Sequence, residues 1–175
     1  MKKIAVVQGA PSAEVQVLFQ SLVDRWRPSM RLAGVVAEDH GLPGRACTAG
    51  YLVNVASGER FPIFQDLGAG SKDCHLSGVG GLSAAQAVRR DIEAGCELVL
   101  LSKFGRLERD GGGLREAFVA AIEAGVPVLT SVSTTFVPAW QSFAAPWSTT
   151  VPADADSIEA WWQTVRPPPP GRRAA

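Results

Sequence analysis

A chain of 175 residues, 46% of them hydrophobic, can bury a sizeable core and is short enough to form one domain. Seventeen basic residues balance seventeen acidic ones, which argues against the basic patch or stripe of a nucleic-acid binder. Three cysteines without a CxxC pair argue against a disulfide framework or a four-ligand zinc site, and no apolar run approaches the ~20 residues that cross a bilayer.

The first element, Ile4 to Gln8, is an apolar run that reads as a parallel strand buried on both faces. Only these five uncharged residues separate Lys2 and Lys3 from Gly9, too few for a secretory leader, so a cytoplasmic, reducing setting is expected. Gly9-Ala10-Pro11-Ser12-Ala13 forms a turn, with Ser12 as N-cap of the next helix. Val15, Leu18, Phe19, Leu22, Val23 and Trp26 recur at helical spacing, and Pro28 ends the run. Leu32 to Ala37 is the second strand, and Glu38 to Ala49 is a loop. Tyr51–Val55 and Arg60–Phe64 flank a Ser57-Gly58 turn and read as a β-hairpin, with Pro62 favouring an edge.

Asp66 to Gly81 is irregular; Ser83 then caps a helix to about Ala94, closed by Gly95. Glu97 to Leu101 is the third buried strand, Leu114 to Ala124 a helix closed by Gly125, and Val126 to Val132 the fourth parallel strand. An aromatic loop with Phe136, Trp140, Phe143 and Trp147 leads to a last helix, about Ala155 to Val165. Trp161 and Trp162 on that helix are expected to face different ways, one covering an edge or a subunit contact, which leaves a homo-oligomer open. Trp147 is assigned to core packing. Strands alternating with helices imply right-handed βαβ units and a mostly parallel sheet between helical layers, with the hairpin added. One α/β domain over residues 1–165 and a Pro-rich flexible tail over 166–175 follow.

An apolar strand that ends in Gly and opens into a helix is how nucleotide-binding α/β proteins place a phosphate: main-chain N–H groups converge and the helix dipole favours an anion. The working P-loop is G-x-x-x-x-G-K-[ST]. Laid from Gly9, it finds Glu14, Val15 and Gln16 where Gly, Lys and Ser/Thr belong. The turn is retained, but the β/γ-phosphate cation and the Mg²⁺ hydroxyl are missing.

In a parallel sheet the ligand sits beyond the carboxyl ends of the strands. That rim gathers Gly9, Ala10, Pro11, Ser12 and Ala13 with Ser102, Lys103 and Arg106. Lys103 follows a buried strand and is assigned to stand in for the absent loop lysine, the alternative being an ion pair with Glu14 or Glu108. The Asp66–Gly81 loop brings Ser71, Lys72 and His75 as a candidate lid. Cys74 and His75 lack a second pair for a metal. Cys96 reads as a small core residue and His40 as surface. No catalytic or metal-ligating set is assigned, and the residues specify no cofactor.

The order of parts resembles the THEP-type nucleoside triphosphatases, a branch of the P-loop NTPases. Their third strand ends in an Asp-Glu pair followed by Ile-Gly-Lys-Met-Glu. Here the stretch is Ser102-Lys103-Phe104-Gly105-Arg106-Leu107-Glu108, which keeps Gly105, a basic Arg106 and Glu108 and lacks the acidic pair. The chain is more similar to a bacterial family of uncharacterised proteins on this fold. That family carries Asn-Lys-Phe-Gly-Lys-x-Glu, Gly-x-Gly-Leu-Arg and Gly-Ser-x-x-Cys-x-Leu, matched here by 102–108, 111–115 and 70–76. The resemblance covers most of residues 1–165 and implies a fold of P-loop NTPase type with degenerate phosphate-site motifs. The family commonly occurs among genes for molybdate uptake. The expected partner is thus a small anionic ligand, molybdate or a nucleotide phosphate, with little or no hydrolysis, and not nucleic acid or membrane. A slow triphosphatase using Glu108 or Asp110, and a partner protein using the Trp-rich C-terminal region, are the alternatives.

Overall fold

Alternating apolar strands and one-sided helices have one economical packing, a central sheet with helices on both faces. The computed structural model describes residues 2–43, 49–64 and 78–167, and they adopt that arrangement. In chain order they form β1 (Ile4–Gln8), α1 (Ser12–Trp26), β2 (Leu32–Asp39), β3 (Ala49–Asn54), β4 (Arg60–Pro62), α2 (Gly78–Ala94) and β5 (Leu98–Phe104). Then follow α3 (Arg106–Arg109), α4 (Arg115–Glu123), β6 (Val128–Val132), α5 (Val137–Ala144), β7 (Ser148–Pro152) and α6 (Ala155–Val165). The seven strands lie in the order β4-β3-β2-β5-β6-β1-β7. β2, β5, β6, β1 and β7 run parallel, whereas β3 pairs antiparallel with β2 and β4 with β3.

β1, β2, β5 and β6 are buried on both faces, and successive side chains feed two separate cores. Val99, Leu101, Val128 and Phe104 pack with α2, α4 and α5 on one face. Ala5, Val7, Leu98, Leu100 and Leu129 pack with α1 and α6 on the other. The stripe of α1 buries Val15, Phe19, Leu22, Val23 and Trp26 as its spacing requires.

Four local expectations give way to packing. α2 begins at Gly78, so Ser83 lies inside it. Glycine permits that extension: a Cβ on Gly80 would stand 1.8 Å from the Pro62 carbonyl oxygen, so only a bare backbone brings the helix down onto β4. The aromatic loop is instead α5 followed by β7, which adds a parallel strand beside β1 with Ile4 opposite Ser148. Both tryptophans of α6 are buried, because the core-facing arc of a helix spans ~100°, wide enough for adjacent residues. The Trp161 indole N–H donates to the Lys2 carbonyl at 3.4 Å, and the Trp162 ring lies 6.3 Å from that of Trp26. Trp147, assigned to the core, is 49% exposed; it sits in the 3₁₀ turn between α5 and β7, outside both clusters. Trp140 joins Phe104, Phe118 and Phe143 in an aromatic knot under α5, with ring centroids 5.2–6.1 Å apart.

Candidate functional site

Gly9 leaves β1 with φ +101°, a backbone that L side chains rarely adopt, and turns the chain into α1. The N-cap of α1 is Pro11 rather than Ser12. Ser12 is already helical, so its hydroxyl is not positioned as a cap, and proline offers no side-chain acceptor. The first helical amide with an acceptor is that of Val15, donating to the Pro11 carbonyl at 3.1 Å. The amides of Ser12, Ala13 and Glu14 meet no acceptor among the described residues. A fifteen-residue helix therefore ends in free N–H groups at the positive pole of its dipole.

The neighbouring strands open here. β2 and β5 pair in register from Leu32↔Leu98 to Val35↔Leu101 and then part. Continued, that register would set Ala37 opposite Lys103 and send the Ala37 N–H to the Ser102 carbonyl. The side chain of Gln16 stands between them instead. Its Oε1 accepts from the Ala37 N–H at 3.1 Å and its Nε2 donates to the Ser102 carbonyl at 3.0 Å. The Ser131 hydroxyl donates to the same carbonyl at 2.9 Å, and the β5–β6 register also shifts between Leu101 and Phe104. β5 thus parts from β2 at its carboxyl end and shifts register against β6 before pairing again at Phe104↔Val132. Gln16, which the P-loop alignment registered only as a missing hydroxyl, is the wedge.

Into this opening project two cations. Lys103 is exposed at the end of β5 and makes no ion pair or hydrogen bond among the described residues; the expected alternative, a pair with Glu14 or Glu108, is not formed. Arg106 is the first residue of α3, also exposed. Glu108 is buried and holds the loop between them. Its Oε2 accepts from the Gly105 N–H at 2.8 Å and its Oε1 from the Leu114 N–H at 2.9 Å. Gly113, at φ +55°, passes so close that a Cβ there would lie 2.2 Å from Glu108 Oε1. Burial pushes the Glu108 carboxyl above its ordinary value, opposed by these amides and by the charge of Lys103. Asp110, the other carboxylate considered for metal or water, is exposed and bound to Arg109 at 2.7 and 3.0 Å.

These parts border one cavity of about 760 Å³. Of the sequence-assigned residues, Ser12, Ala13, Ser102, Lys103 and Arg106 line it, and Glu108 joins them. Gly9, Ala10 and Pro11 set the turn but are not among its lining residues. Ser71, Lys72, Cys74 and His75 lie outside the described residues, as do Cys47 and most of the tail. Sequence reasoning missed the apolar part of the lining, to which Leu52, Ile63, Leu107 and Phe136 contribute. Those positions read as ordinary core or loop and converge only through the sheet order. The His40 side chain, assigned to the surface, is 2% exposed, accepts from the Leu42 N–H at 2.9 Å and lies over Phe64. Cys96 is half-buried against the α2 core, and burial pushes its thiol up to about 11.

Among the described residues no cluster of three His, Cys, Asp or Glu side chains is placed to hold a metal ion. No helix there is long and apolar enough to cross a membrane.

Comparison with known proteins gives two matches. Residues 4–161 match the family model described as Protein of unknown function (DUF2478). The Molybdenum import ATP-binding protein ModC 2 of Bradyrhizobium diazoefficiens is 32% identical over 163 residues. The alignment spans 92% of this chain but 18% of that protein, so its name describes a much longer molecule. No solved structure gives a significant match. Because the family model spans nearly the whole chain, the chain belongs to the family of proteins described as Protein of unknown function (DUF2478).

Proposed function

We propose that this chain is a P-loop-derived α/β domain that holds an anion, either an oxyanion such as molybdate or a nucleotide phosphate, without efficient hydrolysis. One observation carries the reading: the uncommitted amides at the start of α1 share a cavity rim with Lys103 and Arg106, whose side chains make no ion pair or hydrogen bond among the described residues. Helix N-terminus and cations reinforce each other toward negative charge. The similarity to a segment of a molybdenum-import ATP-binding protein supports both ligand classes.

The catalytic half of a P-loop is what this site lacks. Val15 stands at the lysine position. Gln16 at the hydroxyl position spends both ends of its amide on backbone. Ser102 and Lys103 stand where the resembling triphosphatases carry their acidic pair. Glu108 has each oxygen engaged by an amide. Loss of a transition-state donor alone costs about 3–4 kcal/mol, so turnover by such a site is slow at best.

Calorimetric titration with molybdate, phosphate, ATP and GTP, with and without Mg²⁺, tests the reading. Binding weakened about 10- to 100-fold by Lys103→Ala is expected, the worth of one charged hydrogen bond. Binding indifferent to Lys103→Ala, or none of these ligands binding, overturns it. Mg²⁺-dependent release of phosphate from ATP or GTP would establish the triphosphatase alternative.

A further inference from the structure

The cavity is much larger than an inorganic oxyanion needs. Four oxygen-sized groups occupy roughly 120 Å³ at about 30 Å³ each, whereas the space is about 760 Å³. Volumes of ~300–1,000 Å³ are those of sites that enclose organic molecules.

Its walls divide by chemistry. Lys103, Arg106 and the first turn of α1 supply positive potential. Leu52, Ile63, Leu107 and Phe136 supply the apolar part of its wall, as does Val17, which is 71% exposed on α1. A bare oxyanion leaves that wall facing water, which apolar surface disfavours. At the carboxyl end of β2 the cavity is bordered by Glu38 and Asp39. Glu38 is paired with Arg60, and one Asp39 oxygen accepts the Gly41 N–H at 2.7 Å, leaving Asp39 acceptor capacity.

On the anion-binding reading above, we propose that the ligand is a phosphomonoester of an organic molecule that carries an aromatic ring. Its anionic head meets Lys103, Arg106 and the α1 amides. Its ring covers the Leu107–Phe136 wall, and N–H or O–H groups of the ring are directed to Asp39.

The test is a titration series with inorganic phosphate, molybdate, ribose 5-phosphate, AMP, GMP and flavin mononucleotide. At least one of the three aromatic monoesters, AMP, GMP or flavin mononucleotide, is expected to bind ten or more times tighter than phosphate, molybdate or ribose 5-phosphate. Phe136→Ala and Leu107→Ser, each checked for an unchanged circular dichroism spectrum, are expected to cut that advantage about tenfold. The same variants weaken inorganic anions less than twofold. Lys103→Ala weakens every ligand. If phosphate, molybdate or ribose 5-phosphate binds as tightly as all three aromatic esters, the proposal is overturned while anion binding stands. If nothing binds, the anion-binding reading fails with it.

Discussion

Replacing Gln16 by Leu tests whether its amide is the wedge that finishes the sheet. The substitution keeps volume and helix propensity and deletes two hydrogen bonds, those from the Ala37 N–H and to the Ser102 carbonyl. The two losses are unequal. The Ser102 carbonyl retains the Ser131 hydroxyl, so its loss is about 1 kcal/mol. The Ala37 N–H has no second partner among the described residues, and an orphaned buried donor costs about 1–3 kcal/mol. Gln16 borders the cavity, so water reaches part of the vacated space and the low end of that range applies. The sum is about 2 kcal/mol. With a urea slope near 2 kcal/mol/M for a chain of this size, the midpoint should fall by about 1 M. Gln16→Glu is the control. It still accepts from Ala37 but presents an oxygen, not a donor, to the Ser102 carbonyl, so it should also destabilise, and less so when acid protonates it. A midpoint shift below about 0.2 M for Gln16→Leu would refute the wedge.

Gly113→Ala places a methyl on Glu108 Oε1 at a left-handed backbone, and should cost at least about 2 kcal/mol, read as a lower thermal midpoint. For Glu108, burial raises the folded-state value above the ordinary 4.5, so the folded state keeps a proton the unfolded state has released. Its contribution is full below 4.5 and is lost as pH rises through the folded value. The stability of the native chain relative to Glu108→Gln should therefore decline with rising pH; a flat or rising difference contradicts burial as the dominant cause. Cys96, with its thiol raised to about 11, should react about a hundredfold slower than an ordinary thiol at pH 8. Peptide-level mass spectrometry after alkylation, native against urea-unfolded, reads that ratio.

Legibility tracked how local each cause is. β1, the Gly9 turn and α1 were readable because an unbroken apolar run and a 3.6-residue stripe declare themselves within twenty residues. β7 was not, since Ser148-Thr149-Thr150-Val151-Pro152 buries only Val151 and becomes a strand by pairing with β1. The start of α2 was hidden by its own glycines. Gly78, Gly80 and Gly81 are loop residues by propensity, and the close approach of Gly80 to Pro62 is a tertiary fact. Lys103 could be placed on the rim because it follows a strand that reads as buried. The apolar part of the lining could not, because Leu52, Ile63, Leu107 and Phe136 come from four segments that the strand order brings to one cavity.

The same distinction explains how a P-loop-like start can carry a different site. The turn depends on Gly9 and on apolar residues of β1 and α1, whose burial maintains it whatever ligand is used. The chemistry depends on single side chains at its edge. When the hydroxyl position carries an amide long enough to reach β2 and β5, that residue joins the sheet and ceases to be a metal ligand. Ser102 and Lys103 at the end of β5 place a positive charge on a rim that Glu38, Asp39 and Glu108 also border. Glu108 then turns inward and ties down the loop with both oxygens. Gln16 and Glu108 each close two hydrogen bonds to backbone that tie the rim to its neighbours, and Lys103 adds an exposed positive charge at its edge.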